Sequence, residues 1–453
     1  MDRKTAIVLV LGLVLMIGAG IGLLVLMRTL DLGGKGSEPP SGLADAYLEE
    51  VEERCARRYV RPVPGGEDGA DGASAGSYIA ALENLPDIGE SRWTQIMDDV
   101  LAESWNGDSP ALPSEVGAFG SAVSSVLEGA GRKGGRSPYA FCAIDTDTDI
   151  LRDHLRLARA MELSAKASVH ADDEASAAVI LAAVVQMELD VGRGGGIVGH
   201  VVATTMVEST SIYALAPYAG VAVDPEAIRS LVRDLAVLEE SWPDLGDNVR
   251  IDGLVEETMY AACFMPPGWE SPVGPPVMSR SDQESICSLG TGVTGPLWKS
   301  TRERSLDLVE ALDVEDPGER YARVTDLESL SVETPMWKKI FSPEKLLTDI
   351  GAPSIAPRVL ADVGHRNTLM LARALLALRI IMLEAGSLPG RMDEAAWSGL
   401  EDGGRSFRDP LTNEQPIYEL RGGDTVILRI PSLPGGIAAA LTVRFGPPPE
   451  PIH

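Results

Sequence analysis

The longest uninterrupted apolar run lies near the start of the chain. Residues 6–27 contain no charged side chain, and as a helix they would span about 33 Å, which matches the hydrocarbon core of a bilayer. A cleaved signal peptide has a shorter apolar region, of about 7 to 15 residues, before a small-residue cleavage site. Here Arg28 follows the run directly. The pattern therefore predicts one uncleaved transmembrane helix, which makes the lipid bilayer a partner of residues 6–27.

The orientation of this helix follows from what flanks it. Basic residues stand on both sides, Arg3 and Lys4 before the run and Arg28 and Lys35 after it, and a long acidic remainder follows. We expect residues 1–5 to form a cytoplasmic tail and the C-terminal bulk to be extracytoplasmic, in a single-pass protein of the bacterial inner (cytoplasmic) membrane.

Two glycines inside the run have a spacing that allows helices to pair. Gly18 and Gly22 form a GxxxG pattern, which lets two membrane helices approach closely and would support a homodimer. The alternative is that glycine is simply common in membrane helices.

Beyond residue 27 the apolar positions recur mostly at helical spacing. The run 175–189 is almost entirely apolar, so it predicts a buried helix. Asp224, Pro225 and Glu226 form a helix start, with a capping side chain, a proline at the first helical position and an acid near the helix dipole.

The predicted organisation is a linker at 28–42, a membrane-proximal helical region at 43–148 with a flexible insert at 61–76, a helical core domain at 149–264, a Pro/Gly-rich loop at 265–300, short helices at 301–365, a C-terminal α+β unit at 366–446 and a tail at 447–453.

The C-terminal unit begins with a helix and then changes period. Residues 366–385 are apolar nearly all round the helix, with Arg366, Arg373 and Arg379 as the polar exceptions. Alternating apolar residues then predict strands at 415–420, 424–430 and 437–445. The predicted fold is mainly α, with an N-terminal transmembrane helix, an extracytoplasmic multi-helix array and a small α+β unit that contains a three-stranded antiparallel sheet.

The same C-terminal stretch carries a motif set: Glu384, Gly386, Leu388 and Pro389, then Asp409-Pro410-Leu411-Thr412, then Pro416 and Tyr418. It resembles the C-terminal part of uncharacterised single-pass envelope proteins of planctomycetes and myxobacteria, and it is similar to the periplasmic half of type II secretion pseudopilins. The resemblance covers about 80 residues and implies an envelope location without a reaction. Leu411 replaces the usual aromatic residue, Asn413 replaces the usual glycine, and no pseudopilin cleavage site precedes the apolar run.

Composition narrows the class of protein further. The 453 residues are 45% hydrophobic, and 39 basic against 67 acidic side chains leave a net charge of −28. Such a charge argues against nucleic acid as a partner, because nothing would offset phosphate repulsion. The composition also excludes a wholly disordered chain and a protein with many membrane spans.

The four cysteines agree with a location outside the cytoplasm. Cys55, Cys142, Cys263 and Cys287 form no CxxC pair and suit no zinc site. In an oxidising compartment we favour disulfides between Cys263 and Cys287, which would close the Pro/Gly-rich loop, and between Cys55 and Cys142. The alternative is four inert buried thiols.

Candidate catalytic and metal-binding motifs are incomplete. The acidic run Asp145, Asp147 and Asp149 lacks the later residues of an EF-hand, and Asp402 with Asp409 is a calcium candidate only through the pseudopilin resemblance.

Gly194, Gly196 and Gly199 satisfy GxGxxG, but a helical run precedes them instead of a strand. Ser342 and Lys345 satisfy SxxK, yet Ser342 also suits a helix cap. His170 with Asp172, Asp173 and Glu174 is a His/acid cluster that reads as a helix N-terminus.

Two functional hypotheses remain. The first is a structural or protein-interaction protein of the envelope, with an envelope protein as partner and no catalytic, cofactor or metal site. The alternative is an extracytoplasmic hydrolase whose site is assembled from distant residues, which would require His154, His170 or His200 to face a common cleft.

Overall fold

The predicted fold class is confirmed in outline. A computed structural model of the chain describes residues 42–57, 59–65, 69–102, 105, 116–138, 149–265, 287, 291–333, 354–398, 400, 407–430 and 439–447. This part of the chain is mainly helical and carries a three-stranded antiparallel sheet near the C-terminus. Residues 6–27, with Gly18 and Gly22, lie outside it. Among the helices that are described, none combines the length and apolar character needed to cross a membrane.

The described elements follow one another along the chain. The helices are α1 (Leu43–Ala56), α2 (Ala75–Glu83), α3 (Glu90–Ala102), α4 (Gly120–Ala130), α5 (Asp149–His170), α6 (Glu174–Val191), α7 (Gly196–Thr210), α8 (Ala216–Val221), α9 (Pro225–Glu240), α10 (Leu245–Ala261), α11 (Thr291–Leu312), α12 (Pro317–Glu333), α13 (Ala356–Ala385) and α14 (Glu394–Ser398). A 3₁₀ turn (Val116–Phe119) precedes α4, and a π-helical turn (Ser211–Leu215) joins α7 to α8. The strands are β1 (Tyr59–Val60), β2 (Ala70–Ala73), β3 (Arg132–Gly135), β4 (Ile417–Arg421), β5 (Thr425–Arg429) and β6 (Ala440–Arg444).

The chain divides into two compact units. The first comprises residues up to 56, 252–307 and 331–352, and the second comprises 57–251, 308–330 and 353–453. In the first unit Trp298 packs edge-to-face on Tyr47, with ring centroids 5.8 Å apart. The indole N–H of Trp298 donates to buried Glu257 at 2.9 Å, and Arg302 pairs with the same carboxylate at 3.0 Å. The buried carboxylate of Glu257 is therefore paired.

The disulfide of the first unit lies in the segment predicted as an irregular loop. Cys263 and Cys287 are joined by a disulfide. Cys55 is also disulfide-bonded, and Cys142 lies outside the described residues. The loop prediction for 265–300 is wrong at its end, because α11 begins at Thr291 and contains Pro296. Leu297 and Trp298 in the same turn are buried, and that packing outweighs the hydrogen bond lost at the proline.

The second unit is organised round α6. Most of its side chains are buried, and helices α5, α7 and α9 all pack on it, which confirms the buried helix predicted at 175–189. The predicted start of α9 is also confirmed. Asp224 caps it by accepting from the backbone N–H of Glu226 at 2.9 Å, and Pro225 occupies the first helical position.

The C-terminal strands pair in the order β4–β5–β6, all antiparallel. Val426 and Val443 lie opposite each other on the buried face. The turn between β4 and β5 contains Gly422 and Gly423, both at positive φ, which side chains rarely adopt. Alternation along the strands therefore places one face of the sheet on the core.

Two segment predictions need correction in the second unit. Within the flexible insert predicted at 61–76, residues 70–73 form β2, which pairs in parallel with β3 while β1 pairs with β3 in antiparallel fashion. Glycine permits this sheet, since a Cβ on Gly134 would lie 2.7 Å from the carbonyl oxygen of Gly72.

The boundary predicted at 365/366 is also wrong. It falls inside α13, a single helix of 30 residues whose first turn contains Pro357. Val359, Leu360 and Val363 are buried there, so the helix extends toward its N-terminus beyond the apolar run. Part of the region predicted as short helices, 334–353, lies outside the described residues.

Candidate ligand-binding cleft

The polar exceptions of the apolar helix α13 mark a site. Arg366 and Arg373 are two helical turns apart and therefore lie on the same face. Arg373 is only 1% exposed, whereas Arg366 is half-buried. The third exception, Arg379, has a structural role, since its guanidinium donates to the carbonyl oxygens of Ala222 and Gly446 at 2.6 Å each.

The Asp-Pro-Leu-Thr segment forms a tight turn beside this helix. Asp409 accepts from the backbone N–H of Leu411 at 3.0 Å and from the hydroxyl of Thr412 at 2.8 Å. Asn413 has a φ of +56°, a left-handed conformation that glycine favours and asparagine tolerates. The amide of Asn367 in α13 donates to Asp409 at 3.0 Å, which ties the turn to the helix.

Between these elements lies a cleft of about 750 Å³ in the second unit. Its wall combines guanidinium, carboxylate and amide groups. The lining residues are Glu239, Glu315, Asp316, Pro317, Arg366, Asn367, Arg373, Arg408, Asp409, Pro410 and Asn413. The volume falls within the range of small-molecule sites, about 300 to 1,000 Å³.

The buried wall of the cleft is built round Arg373. Its Nε lies 3.0 Å from a carboxylate oxygen of Glu239 in the neighbouring helix α9. Its guanidinium also lies over the ring of Phe407, 4.4 Å from the ring centroid, and Phe407 in turn contacts Trp397. The charge is therefore held in place by an ion pair and a cation–π contact.

Several polar atoms of this wall have no hydrogen-bond partner. They are Nε and Nη1 of Arg373, Oδ1 of Asn367 and one carboxylate oxygen of Glu239, so the ion pair lacks the alignment of a hydrogen bond. A buried polar group left unsatisfied costs about 1 to 3 kcal/mol, and more when it is charged. A bound ligand with matching groups would recover that free energy.

Arg366 and Arg408, the other two arginines of the cleft, both donate hydrogen bonds to neighbouring protein groups. Arg366 donates to the backbone carbonyl of Glu239 at 3.2 Å. Arg408 donates to the carbonyl of Asn413 at 2.9 Å and to Glu394 at 2.8 Å.

A buried histidine–carboxylate pair adjoins Arg366. Asp362, one turn earlier in α13, accepts from the ring of His200 at 2.8 Å and from the indole N–H of Trp242 at 2.8 Å. Burial works against the charged carboxylate, but His200, the two hydrogen bonds and Arg366 together lower the pKa of Asp362. His200 is 2% exposed, so this pair packs the helices and does not line the cleft.

The four histidines that the structure describes have separate surroundings. His154 is buried in α5, His170 is exposed at the end of α5, and His365 lies 3.3 Å from Glu208. None of the residues that line the cleft is a histidine. Within the described ranges no group of three or more His, Cys, Asp or Glu side chains could hold a metal ion. The hydrolase hypothesis therefore gains no observation in its favour.

The acidic neighbours of His170 have structural roles instead. Asp173 caps α6 by accepting from the N–H of Ser176 at 3.1 Å, and Glu174 accepts from the N–H groups of Val223 and Asp224. Asp172 has a φ of +58° in the turn between the helices.

The remaining motifs fall in turns or outside the described residues. Gly194 lies in the turn from α6 to α7, and Gly196 and Gly199 lie in the first turn of α7, as the absence of a preceding strand predicts. Asp145, Asp147, Ser342, Lys345, Asp402 and His453 are outside the described part, as is the side chain of Asp149.

The sequence patterns draw attention to three residues of this cleft but do not predict a site there. Arg366 and Arg373 were conspicuous because charged residues are rare in an apolar helix, and Asp409 belonged to a motif. Glu239, Asn367 and Arg408 carried no local signal, since each resembles an ordinary surface position in its own segment. No family model, curated protein or solved structure matches the chain.

Proposed function

We propose that this chain is a membrane-anchored, extracytoplasmic structural or protein-interaction protein of the bacterial cell envelope. The anchor would be residues 6–27, with the C-terminal bulk outside the inner membrane. The observation that carries the proposal is the disulfide between Cys263 and Cys287, downstream of a 22-residue apolar run. Disulfides persist in oxidising compartments and are rare in the bacterial cytosol.

The cleft supports an interaction role for the outer part. On its buried wall, Nη1 of Arg373 and Oδ1 of Asn367 have no hydrogen-bond partner among the described residues, and a buried polar group left unsatisfied is costly. We therefore assign the cleft as the surface by which the protein recognises its partner.

The C-terminal unit supports the envelope assignment through its resemblance to single-pass envelope proteins. The positive φ of Asn413 explains why glycine is usual at that position of the motif. The hydroxyl of Tyr418 also donates to the carbonyl of Pro389 at 2.7 Å, so two of the motif residues contact each other.

A labelling experiment in cells tests the proposal. The full chain is treated with a membrane-impermeant thiol reagent before and after reduction, with the outer membrane permeabilised, and the membranes are fractionated. We expect membrane association and labelling of intact cells only after reduction. The double variant Cys263→Ser/Cys287→Ser should lose two of the labelled thiols.

Matched variants test the anchor. Leu15→Arg/Ile17→Arg introduces two charges into the apolar run and should move the protein to the soluble fraction, whereas Leu15→Phe/Ile17→Phe should leave it in the membrane. Labelling of the wild type only after lysis, without reduction, would overturn both the location and the disulfide assignment.

A further inference from the structure

We propose that the cleft binds a carboxylate that has an N–H or O–H donor beside it, the chemistry of a peptide C-terminus. A free α-amino acid or α-hydroxy acid presents the same groups. The inference rests on the proposed function only in taking the cleft as the recognition surface.

The carboxylate would bind at Arg373. Nη1 of this residue is buried and without a hydrogen-bond partner, while its Cζ lies over the Phe407 ring, 4.4 Å from the ring centroid. A planar guanidinium in a fixed orientation suits a carboxylate, because two parallel N–H groups can donate to its two oxygens. Arg366 and Arg408 add two further guanidinium groups to a lining that also contains four carboxylates, so the site for an anion is Arg373 and not the cleft as a whole.

The donor would bind at Asn367. The amide nitrogen of this residue donates to Asp409 at 3.0 Å, which fixes the amide orientation, because the reverse orientation would place two acceptors together. Oδ1 of Asn367 is then an acceptor with no donor. A ligand that satisfies this wall must supply N–H or O–H groups as well as an anionic oxygen.

The charge of the ligand separates a carboxylate from inorganic phosphate. Inorganic phosphate also has an O–H group that could donate to Asn367, but its dianion would face the carboxylates of Glu239, Glu315, Asp316 and Asp409 in the same cleft. A single carboxylate has a smaller charge and leaves room for the neighbouring donor. The terminal residue of a peptide supplies both groups, with its own carboxylate and its backbone N–H.

The dimensions favour a peptide end over a free amino acid. The cleft has a volume of about 750 Å³, in the upper part of the range for small-molecule sites. The mouth of the cleft carries exposed polar residues, including Glu315 and Asn413. The rest of a peptide whose C-terminus is bound at the buried end would run past these residues.

Binding to the purified full chain tests the inference. The probes are a library of N-acetylated tripeptides Ac-Ala-Ala-Xaa with a free C-terminus, the same library as C-terminal amides, free alanine, lactate and inorganic phosphate. We expect at least one peptide acid to bind by isothermal titration calorimetry, and its amide to bind about tenfold more weakly or worse, because the charge-assisted hydrogen bonds are lost. If free alanine or lactate binds as tightly as the peptides, the cleft recognises a carboxylate with a neighbouring donor, but the proposal that the ligand is a peptide C-terminus is wrong.

Variants connect the binding to the cleft. Arg373→Lys keeps the charge and removes the planar fork, so the affinity for the peptide acid should fall about tenfold or more. Arg408→Gln changes a half-buried residue at the mouth and gives a second reading if Arg373→Lys fails to fold. The control is Arg323→Gln, since Arg323 is exposed, pairs with Glu319 on α12 and does not line the cleft, and its affinity should match the wild type.

Two results would overturn the inference. One is binding of phosphate without binding of any carboxylate. The other is that folded wild-type protein binds none of the probes at concentrations up to about 10 mM, which corresponds to a binding free energy weaker than roughly −3 kcal/mol. Because the measurement uses purified protein, either result leaves the envelope location to be decided by thiol labelling.

Discussion

Glu188 Oε1 lies 2.7 Å from the hydroxyl oxygen of Thr210 in the core of the second unit. The same hydroxyl lies 2.8 Å from a carboxyl oxygen of Glu162. A hydroxyl has one proton and can donate to only one of these two groups, so the other carboxyl group must be protonated and donate to it. Burial is the largest influence on Glu188 and raises its pKa well above the ordinary value. Glu188 is therefore the protonated partner.

This arrangement predicts a pH dependence of stability. The pKa of Glu188 is higher in the folded than in the unfolded chain, so the folded state binds the proton more tightly. Its contribution to the free energy of unfolding is fully present below the unfolded pKa of about 4.3 and declines as pH rises toward the folded value. Glu188→Gln keeps a donor for Thr210 and removes the titration. Urea unfolding at pH 5 and pH 8 should show a smaller loss of stability in this variant than in the wild type.

The control for Glu188 is Glu319→Gln, which changes a half-exposed residue on α12. Its difference in stability between pH 5 and pH 8 should equal that of the wild type. The same difference in Glu188→Gln as in the wild type would show that Glu188 is ionised throughout.

A second prediction concerns Asp190, which is completely buried. It accepts from Arg61 at 2.9 Å and from the hydroxyl of Tyr78 at 2.8 Å, and it also pairs with Arg193. Asp190→Asn removes the negative charge and leaves two buried guanidinium groups uncompensated. We expect a loss of about 3 to 5 kcal/mol in the free energy of unfolding, measured by urea denaturation.

An exposed ion pair gives the comparison for Asp190. Glu419 pairs with Arg421 at 2.7 Å on the surface of β4, and exposed pairs of this kind contribute little to stability. Glu419→Gln should therefore be nearly neutral. Equal effects of the two substitutions would mean that the Asp190 network is not buried in solution.

A third prediction compares two helical glycines. A Cβ on Gly129 in α4 would lie 2.5 Å from the ring of Tyr78, and that ring is held by the hydrogen bond to Asp190. Gly129→Ala should cost about 1 to 3 kcal/mol through overpacking. Gly76 in α2 is exposed with nothing within 4 Å of its Cβ position, so Gly76→Ala should gain about 0.5 to 1 kcal/mol. Thermal unfolding of both variants checks the opposite signs.

A fourth prediction concerns the disulfide between Cys263 and Cys287, which are 24 residues apart. In the chain-entropy model a crosslink of this span contributes about 3 kcal/mol. Cys263→Ser/Cys287→Ser should lower the stability of the first unit by that amount under oxidising conditions. In the variant, addition of reductant should produce a smaller further loss than in the wild type, and an equal loss in both would contradict the assignment.

Local signals account for the elements that could be predicted from the sequence. The apolar run at 175–189 had to be buried, Asp224 and Pro225 marked the start of α9, and alternation marked the three C-terminal strands. Each of these patterns acts within a few residues along the chain, through helix capping, burial of one face or a glycine turn.

Features that depend on long-range packing could not be predicted in the same way. The small sheet of β1, β2 and β3 rests on Gly72 and Gly134, whose residue type disfavours strands in isolation. The cleft joins α9, α13 and the Asp409 turn, so Glu239 and Arg373 become neighbours only when the core forms. The one available signal was arginine in an apolar helix, and it identified Arg373 without its partners.

The core of the second unit has a consequence for how the protein is made. One continuous apolar cluster joins Tyr78 to Val443 and Phe445, so it includes side chains from both ends of the unit. A ribosome delivers Tyr78 long before Phe445, and the cluster cannot close until the last strand has emerged. The core of this unit is therefore completed only after β6 has been synthesised. A nonsense codon even a few residues before Phe445 should yield a product that proteases remove.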